Sequence, residues 1–194
     1  RSAHSVSSLL TLKPSRASAD AEIRRLGSTS KLEHNMRQSV VSRWIFLIAF
    51  ALVFYGNGAA FIESFVNYSS WHLIGSDEFV AYHHFISPRV LTFLVAPALL
   101  GTVFTVMMLW ARPPVIPLWA VWAAIAAQAV VWVSTATIQV PIQVQLSEHG
   151  LSLDLLGRLI ETNFWLRRIP YAVCAGLFLW MAAKAIGAVK EPAD

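Results

Sequence analysis

Glu63 is the residue whose type and position suggest chemistry most directly. It lies near the end of a long apolar stretch, where an ionisable side chain is costly unless it is paired or faces a wet cavity. A carboxylate in such a place serves as a metal ligand, a proton acceptor or a substrate anchor. The alternative is a structural ion pair with Arg89, Arg167 or Arg168, or exposure to interfacial water. The sequence leaves both interpretations open, and Glu63 is a candidate catalytic residue.

Three histidines follow in the next polar segment, at His72, His83 and His84. Imidazole and carboxylate groups suit iron, copper or zinc. However, neighbouring residues on a helix point about 100° apart, and the His-x-x-x-His spacing of a helical metal site is absent. We therefore predict no metal site, and these three are the histidines to consider if one exists. His83 shares a helical face with Phe79, so we expect it to point inward and take it as the second candidate catalytic residue.

A polar stripe runs along the third apolar segment, with Gln128, Trp132, Thr135 and Gln139 at positions i, i+4, i+7 and i+11. In lipid such a face must turn towards the other helices. It either supplies interhelical hydrogen bonds, each worth about 0.6–2 kcal/mol, or forms the wall of a polar cavity. Gln139, and Gln143 one turn further on, are therefore candidate ligand-binding residues.

Asn163 and Arg167 lie four residues apart on a predicted amphipathic helix, ahead of Pro170. The planar guanidinium of Arg167 is suited to a carboxylate, a phenolate or a lipid phosphate. Alternatively, Arg167 and Arg168 mark the membrane interface. We take Asn163 and Arg167 as two further candidate ligand-binding residues.

The composition requires that these side chains be held by membrane-spanning helices. The 194 residues are 56% hydrophobic and 13% charged, whereas soluble domains are about a quarter charged. Four stretches are long enough to cross a bilayer, at about residues 43–65, 90–110, 118–138 and 169–187. The predicted fold is all-α, an integral membrane four-helix bundle at residues 43–188. Residues 1–42 are predicted to be a basic flexible tail with one short helix near 19–26, and residues 189–194 a short C-terminal tail.

The connections indicate how the bundle is arranged. Residues 111–117 predict a tight hairpin, whereas residues 67–88 and 139–168 are long enough for short interfacial helices, which we expect to begin near Ser76 and Ser152. Eleven lysines and arginines lie on the side of the termini and four on the other. This asymmetry predicts a multi-pass protein of the bacterial plasma membrane with both termini cytoplasmic and the interfacial helices outside. The basic residues lie beside the spans, so we exclude nucleic acid as a partner.

Span one has a rival interpretation. A product that began at Met36 would carry a charged leader, the 12-residue apolar stretch from Trp44 to Tyr55, and then small residues. This order resembles a cleaved secretory signal peptide. We expect a retained span, because the residues after Tyr55 continue one helical face with small and polar side chains, namely Gly56, Ala60, Glu63 and Asn67.

Three motifs carry a resemblance that covers roughly residues 40–188. They are Phe79-x-x-Tyr82-His83, Pro141-Ile142-Gln143-x-x-Leu146 and Leu159-Ile160-x-x-Asn163-Phe164-Trp165-Leu166-Arg167. In these the chain resembles a group of small four-span bacterial membrane proteins, most without an assigned function. More distantly it is similar to the family that includes fungal anthrone oxygenases, which oxidise polycyclic phenols to quinones. The resemblance implies that His83, Gln143, Asn163 and Arg167 are the positions to examine.

Three functions remain open from the sequence. The first is a non-catalytic accessory protein or a binder of a lipophilic molecule, with the lipid bilayer, such a molecule or a larger membrane complex as partner. The second is a membrane oxidase or oxygenase of a lipophilic aromatic or quinone-like substrate, which would need Glu63 and His83 within hydrogen-bonding reach of each other. The third is a transporter or channel subunit, which with four helices and no internal repeat would have to oligomerise. The sequence identifies no cofactor.

Overall fold

The computed structural model describes the backbone of residues 16–187 and the side chains of residues 36–187. The chain divides into two units, Arg1–Ser39 and Val40–Asp194. In the first unit the described residues are helical from Arg16 onward, within an α-helix that ends at Ile62. This helix is longer than the short one predicted near residues 19–26. The first 15 residues of the predicted tail and the predicted C-terminal tail, residues 189–194, lie outside the described residues.

Four long helices account for most of residues 36–187, and each is long and apolar enough to cross a membrane. Their limits are Met36–Leu73 (α1, the apolar part of the first helix), Ser76–Met107 (α2), Leu118–His149 (α3) and Leu153–Gly187 (α4). No strand occurs among residues 16–187, so the all-α prediction of four spans is confirmed. At 1.5 Å per residue, even 32 residues extend about 48 Å, well beyond the roughly 30 Å of bilayer hydrocarbon. The segments predicted as interfacial helices are helical, and they continue directly into the spans.

Every long helix contains one π turn. In such a turn the backbone hydrogen bonds join residues five apart instead of four, so the turn holds one extra residue. The four turns are Glu63–Asn67, Leu91–Val95, Thr135–Gln139 and Phe164–Arg168. The last three each begin six residues before a proline, at Pro97, Pro141 and Pro170. A proline ring clashes with the carbonyl four residues earlier and donates no N–H, so the wider turn relieves the clash. The turn in α1 has no such cause, because the equivalent position is Ser69.

Two of the carbonyl groups freed by prolines accept hydrogen bonds from neighbouring helices. The Phe93 carbonyl, four residues before Pro97, accepts from the Tyr55 hydroxyl at 2.7 Å. The Leu166 carbonyl, four residues before Pro170, accepts from Ser134 Oγ at 3.3 Å. This is how a proline is tolerated within lipid, and it joins α1 to α2 and α3 to α4.

Substituting Tyr55→Phe is expected to lower the free energy of unfolding by about 0.5–1.5 kcal/mol, the usual net contribution of one hydrogen bond. Equilibrium unfolding in detergent measures it. The control is the same substitution in a P97A background, where a restored backbone N–H competes for the Phe93 carbonyl. The loss should be smaller there, and equal losses in the two backgrounds would contradict the assignment.

The two ends of the bundle differ in character. At the hairpin end, which holds residues 108–117, the core is apolar, and Arg112 closes the turn by donating from Nε to the Ile116 carbonyl at 3.0 Å. Exposed tryptophans lie near this end, as in the aromatic belt of a membrane interface: Trp44, Trp110, Trp119, Trp122 and Trp180. At the crown end, which holds the connections at residues 74–75 and 150–152, a second core surrounds Trp71 and Phe79. Polar residues from all four helices meet on the side of this second core that faces the hairpin end.

Candidate functional site

His83 is the centre of a hydrogen-bonded chain that joins three helices. Its ring is 2% exposed, and Nε2 lies 2.6 Å from Oε1 of Gln143 on α3. Nδ1 lies 2.7 Å from the hydroxyl oxygen of Ser147, also on α3. The other end of the Gln143 amide donates to the hydroxyl oxygen of Tyr68 on α1 at 3.2 Å. Since Gln143 Oε1 can only accept, Nε2 is the protonated nitrogen of His83 in this arrangement.

The predicted inward orientation of His83 is confirmed, because its ring packs against Trp71 and Phe79 with centroid distances of 5.4 and 5.7 Å. His72 and His84 are instead exposed. Among residues 36–187, no three histidine, cysteine or acidic side chains are grouped closely enough to hold a metal ion.

Asn67 connects Glu63 to two aromatic side chains. Its Nδ2 donates to Glu63 Oε2 at 2.9 Å. Its Oδ1 accepts from Trp71 Nε1 at 3.0 Å and from the Tyr82 hydroxyl at 2.7 Å. The sequence places Asn67 on the helical face of Glu63, although Asn67 was not among the predicted site residues. The signal was the spacing of four residues between an acid and an amide within an apolar helix.

Arg167 lies at the centre of the polar region and is only 7% exposed. The hydroxyl groups of Tyr68 and Tyr171 and the carboxylate of Glu63 are near enough to its guanidinium for electrostatic interaction. Within residues 36–187, however, no carboxylate lies within 4.0 Å of it, and its Nε has no hydrogen-bond partner. Arg167 is therefore a buried cation without a direct counter-ion from the described chain.

Of the other two arginines considered as partners of Glu63, Arg89 is exposed and Arg168 is half-buried. Arg89 places its guanidinium carbon 3.5 Å from the centre of the Phe85 ring, and Arg168 places its own 3.7 Å from the centre of the Phe65 ring. The described structure shows neither within ion-pairing distance of Glu63. That Arg168 marks the membrane interface, the alternative that the sequence left open, stays a prediction.

Asn163 links α4 to α1 by a hydrogen bond, and Gln139 links α3 to α4 in the same way. Asn163 Nδ2 donates to Ser64 Oγ at 2.6 Å, and Gln139 Nε2 donates to Thr162 Oγ1 at 3.1 Å. Both amides are buried, and Gln139 Oε1 is left without a partner. The structure thus brings Glu63, His83, Gln143, Asn163 and Arg167 into one region, with Gln139 at its edge.

The π turn of α1 carries much of this region. It contains Glu63, Ser64 and Asn67, and each of these side chains makes one of the hydrogen bonds just described. Since no proline imposes this turn, we attribute it to the contacts of these side chains. π turns in α-helices occur frequently at functional sites.

In the half of α3 nearer the hairpin end, the residues of the polar stripe form hydrogen bonds to a neighbouring helix. Gln128 Nε2 donates to Thr105 Oγ1 at 3.1 Å, and Trp132 Nε1 donates to Thr102 Oγ1 at 2.9 Å. These threonine partners could not be predicted from the sequence, since single threonines in an apolar span form no recognisable pattern.

Fold and site together define a four-span helical bundle with a buried arginine and a hydrogen-bonded polar region towards one end. No family model, curated protein or solved structure matches this chain. Chemically, the region can hold an anion and can orient tyrosine hydroxyl groups. Glu63 and His83, the predicted catalytic pair, make no hydrogen bond to each other among the contacts of residues 36–187.

Proposed function

We propose that this protein is a non-catalytic membrane protein that binds a lipophilic molecule with an anionic head group, and that Arg167 holds the head. The observation that carries the proposal is a buried guanidinium with no carboxylate within 4.0 Å in the described residues. A guanidinium stays charged in proteins, and an unpaired buried charge costs several kcal/mol. A bound anion offsets that cost.

The surroundings of Arg167 suit a carboxylate, phenolate or phosphate. Its planar fork can donate two parallel hydrogen bonds to such a group. Tyr68 and Tyr171 flank it and can add hydroxyl donors, while Gln143 fixes the position of Tyr68. Large apolar side chains exposed to lipid near the π turns of α1 and α4 suit the rest of an amphiphilic ligand: Phe65, Phe164 and Trp165.

The other candidate functions find less support. Both ring nitrogens of His83 are engaged by protein side chains, which favours a structural role over proton transfer to a substrate. The hairpin-end core consists of apolar residues, which disfavours a polar path through a single bundle. Membership of the group that the three sequence motifs resemble stays a prediction. The distribution of basic residues supports placing the crown end outside a bacterial plasma membrane and both termini in the cytoplasm.

Native mass spectrometry of protein released gently from its membrane tests the proposal. The wild type is expected to retain one lipophilic anion, and R167Q should retain it at about 10- to 100-fold lower affinity, the loss expected when a charge-assisted hydrogen bond of about 1.5–3 kcal/mol is removed. R158Q is the matched control, because Arg158 lies on the same helix but is exposed. Equal retention by R167Q and R158Q, or a wild type that carries no anion, would contradict the proposal.

A further inference from the structure

Arg167 lies at the seam between α1 and α4, the line along which these two helices meet. It belongs to α4, and two of the groups near its guanidinium, Glu63 and Tyr68, belong to α1. Beside it, Asn163 on α4 donates to Ser64 on α1 at 2.6 Å. Because Arg167 is only 7% exposed, a molecule that comes from the bilayer has to pass between two helices to reach its guanidinium.

Arg168 covers the outer side of this seam. Its guanidinium carbon lies 3.7 Å from the centre of the Phe65 ring on α1 and 5.7 Å from that of the Phe164 ring on α4. Both rings are partly exposed, at 50% and 41%, and Arg168 is half-buried. The cover consists of side chains, so a change of their rotamers removes it without moving either backbone.

The other seams are held in ways that a change of rotamer does not release so readily. Between α1 and α2, and between α3 and α4, the Phe93 and Leu166 carbonyls freed by prolines accept hydrogen bonds, and breaking these bonds leaves a backbone group unsatisfied in lipid. Between α2 and α3, His83 is buried and bonded through both ring nitrogens to side chains of α3. The seam between α1 and α4 is therefore the one that opens at the lowest cost near Arg167.

We propose that this seam is the route by which a lipophilic anion reaches Arg167 from the bilayer, and that Arg168 resting on Phe65 is its gate. The inference rests on the proposed function, since it assigns the entry path of the same ligand. When Arg168 leaves the Phe65 ring, its charge stays at the entrance. A cation in that position attracts an anionic head group, so the gate favours anions over neutral lipids.

Exchange of bound myristate tests the gate. Myristate labelled with ¹³C at its carboxyl carbon is added to the protein in zwitterionic lipid nanodiscs, and NMR exchange between the bound and the bilayer signals gives the rate constants and the affinity. Phe65→Ala removes the ring on which Arg168 rests, so association and dissociation should both become about 2- to 30-fold faster, the size expected for the loss of one cation–π contact. The affinity should change little. Phe65→Trp, whose ring attracts cations more strongly, should slow both steps.

Phe85→Ala and Phe85→Trp are the matched controls, because Arg89 lies over the Phe85 ring at a similar distance, 3.5 Å, on α2. They should leave both rate constants unchanged. Rate constants that F65A and F65W do not alter, or an effect on dissociation alone, would overturn the gate and leave Arg167 as the anion site. A wild type without a bound signal, or a bound signal that R167Q keeps, would contradict the proposed function and the gate with it.

Discussion

Substituting Gly101→Leu is expected to lower the free energy of unfolding by about 2–4 kcal/mol. A Cβ atom placed on Gly101 would lie 3.1 Å from Cβ of Leu52 and 3.5 Å from its backbone carbonyl carbon. The four-carbon side chain of leucine therefore has to push α1 away from α2, and overpacking of a close helix contact costs about 1–3 kcal/mol or more. The loss of interhelical packing adds to that cost, because small residues at the contact let membrane helices approach closely.

The measurement is reversible unfolding of purified protein in mixed detergent micelles. Gly176→Leu is the matched control, since Gly176 is exposed on α4 and a Cβ atom there would meet nothing within 4 Å. That variant should be neutral or slightly more stable, as helical glycine is unfavourable. A similar destabilisation of both variants would mean that α1 and α2 do not meet at Gly101.

Substituting Asn67→Leu is expected to cost about 2–5 kcal/mol and to alter the path of α1. The change leaves Glu63 Oε2, Trp71 Nε1 and the Tyr82 hydroxyl without the partner each has in the structure, and each unsatisfied buried group costs about 1–3 kcal/mol. Since no proline imposes the π turn Glu63–Asn67, we expect it to revert to an α-helical turn once these bonds are lost.

Unfolding in detergent measures the loss of stability, and amide hydrogen exchange measures the change in the path of α1. In N67L the amides of residues 64–75 should exchange faster than in the wild type, because the helix beyond the turn rotates out of its contacts. Asn57→Leu is the control, an asparagine on the same helix for which the structure shows no side-chain hydrogen bond. Unchanged exchange in N67L would show that something other than Asn67 holds the turn.

The sequence was sufficient for the spans and for several of the residues that turn inward. Apolar length fixes four helices in lipid, and a polar residue such as Gln128 or Gln139 in such a helix has to face its neighbours. For Arg167 the sequence left an interfacial position open. A neighbouring helix also satisfies the carbonyl freed by Pro97, through the Tyr55 hydroxyl, as is usual for a proline within lipid.

Other features depend on which helices meet, and a single sequence does not encode that in any local pattern. Asn67 became the partner of Tyr82 only because α1 and α2 pack side by side. The ion pairs considered for Glu63 could not be ranked, since the distance to Arg167 follows from the packing of α1 against α4. The π turns before prolines could have been expected from the proline positions, but the one in α1 could not.

The proposed function requires that Arg167 bind an anion, since no carboxylate among residues 36–187 contacts it directly. The most direct test is the NMR resonance of its Nε–H group, the atom left without a partner, in zwitterionic lipid nanodiscs and assigned by its absence in R167K. Adding myristate is expected to shift this resonance, whereas myristyl alcohol, which has the same chain without the charge, should leave it in place. A resonance that neither molecule moves, or that both move equally, would contradict the account.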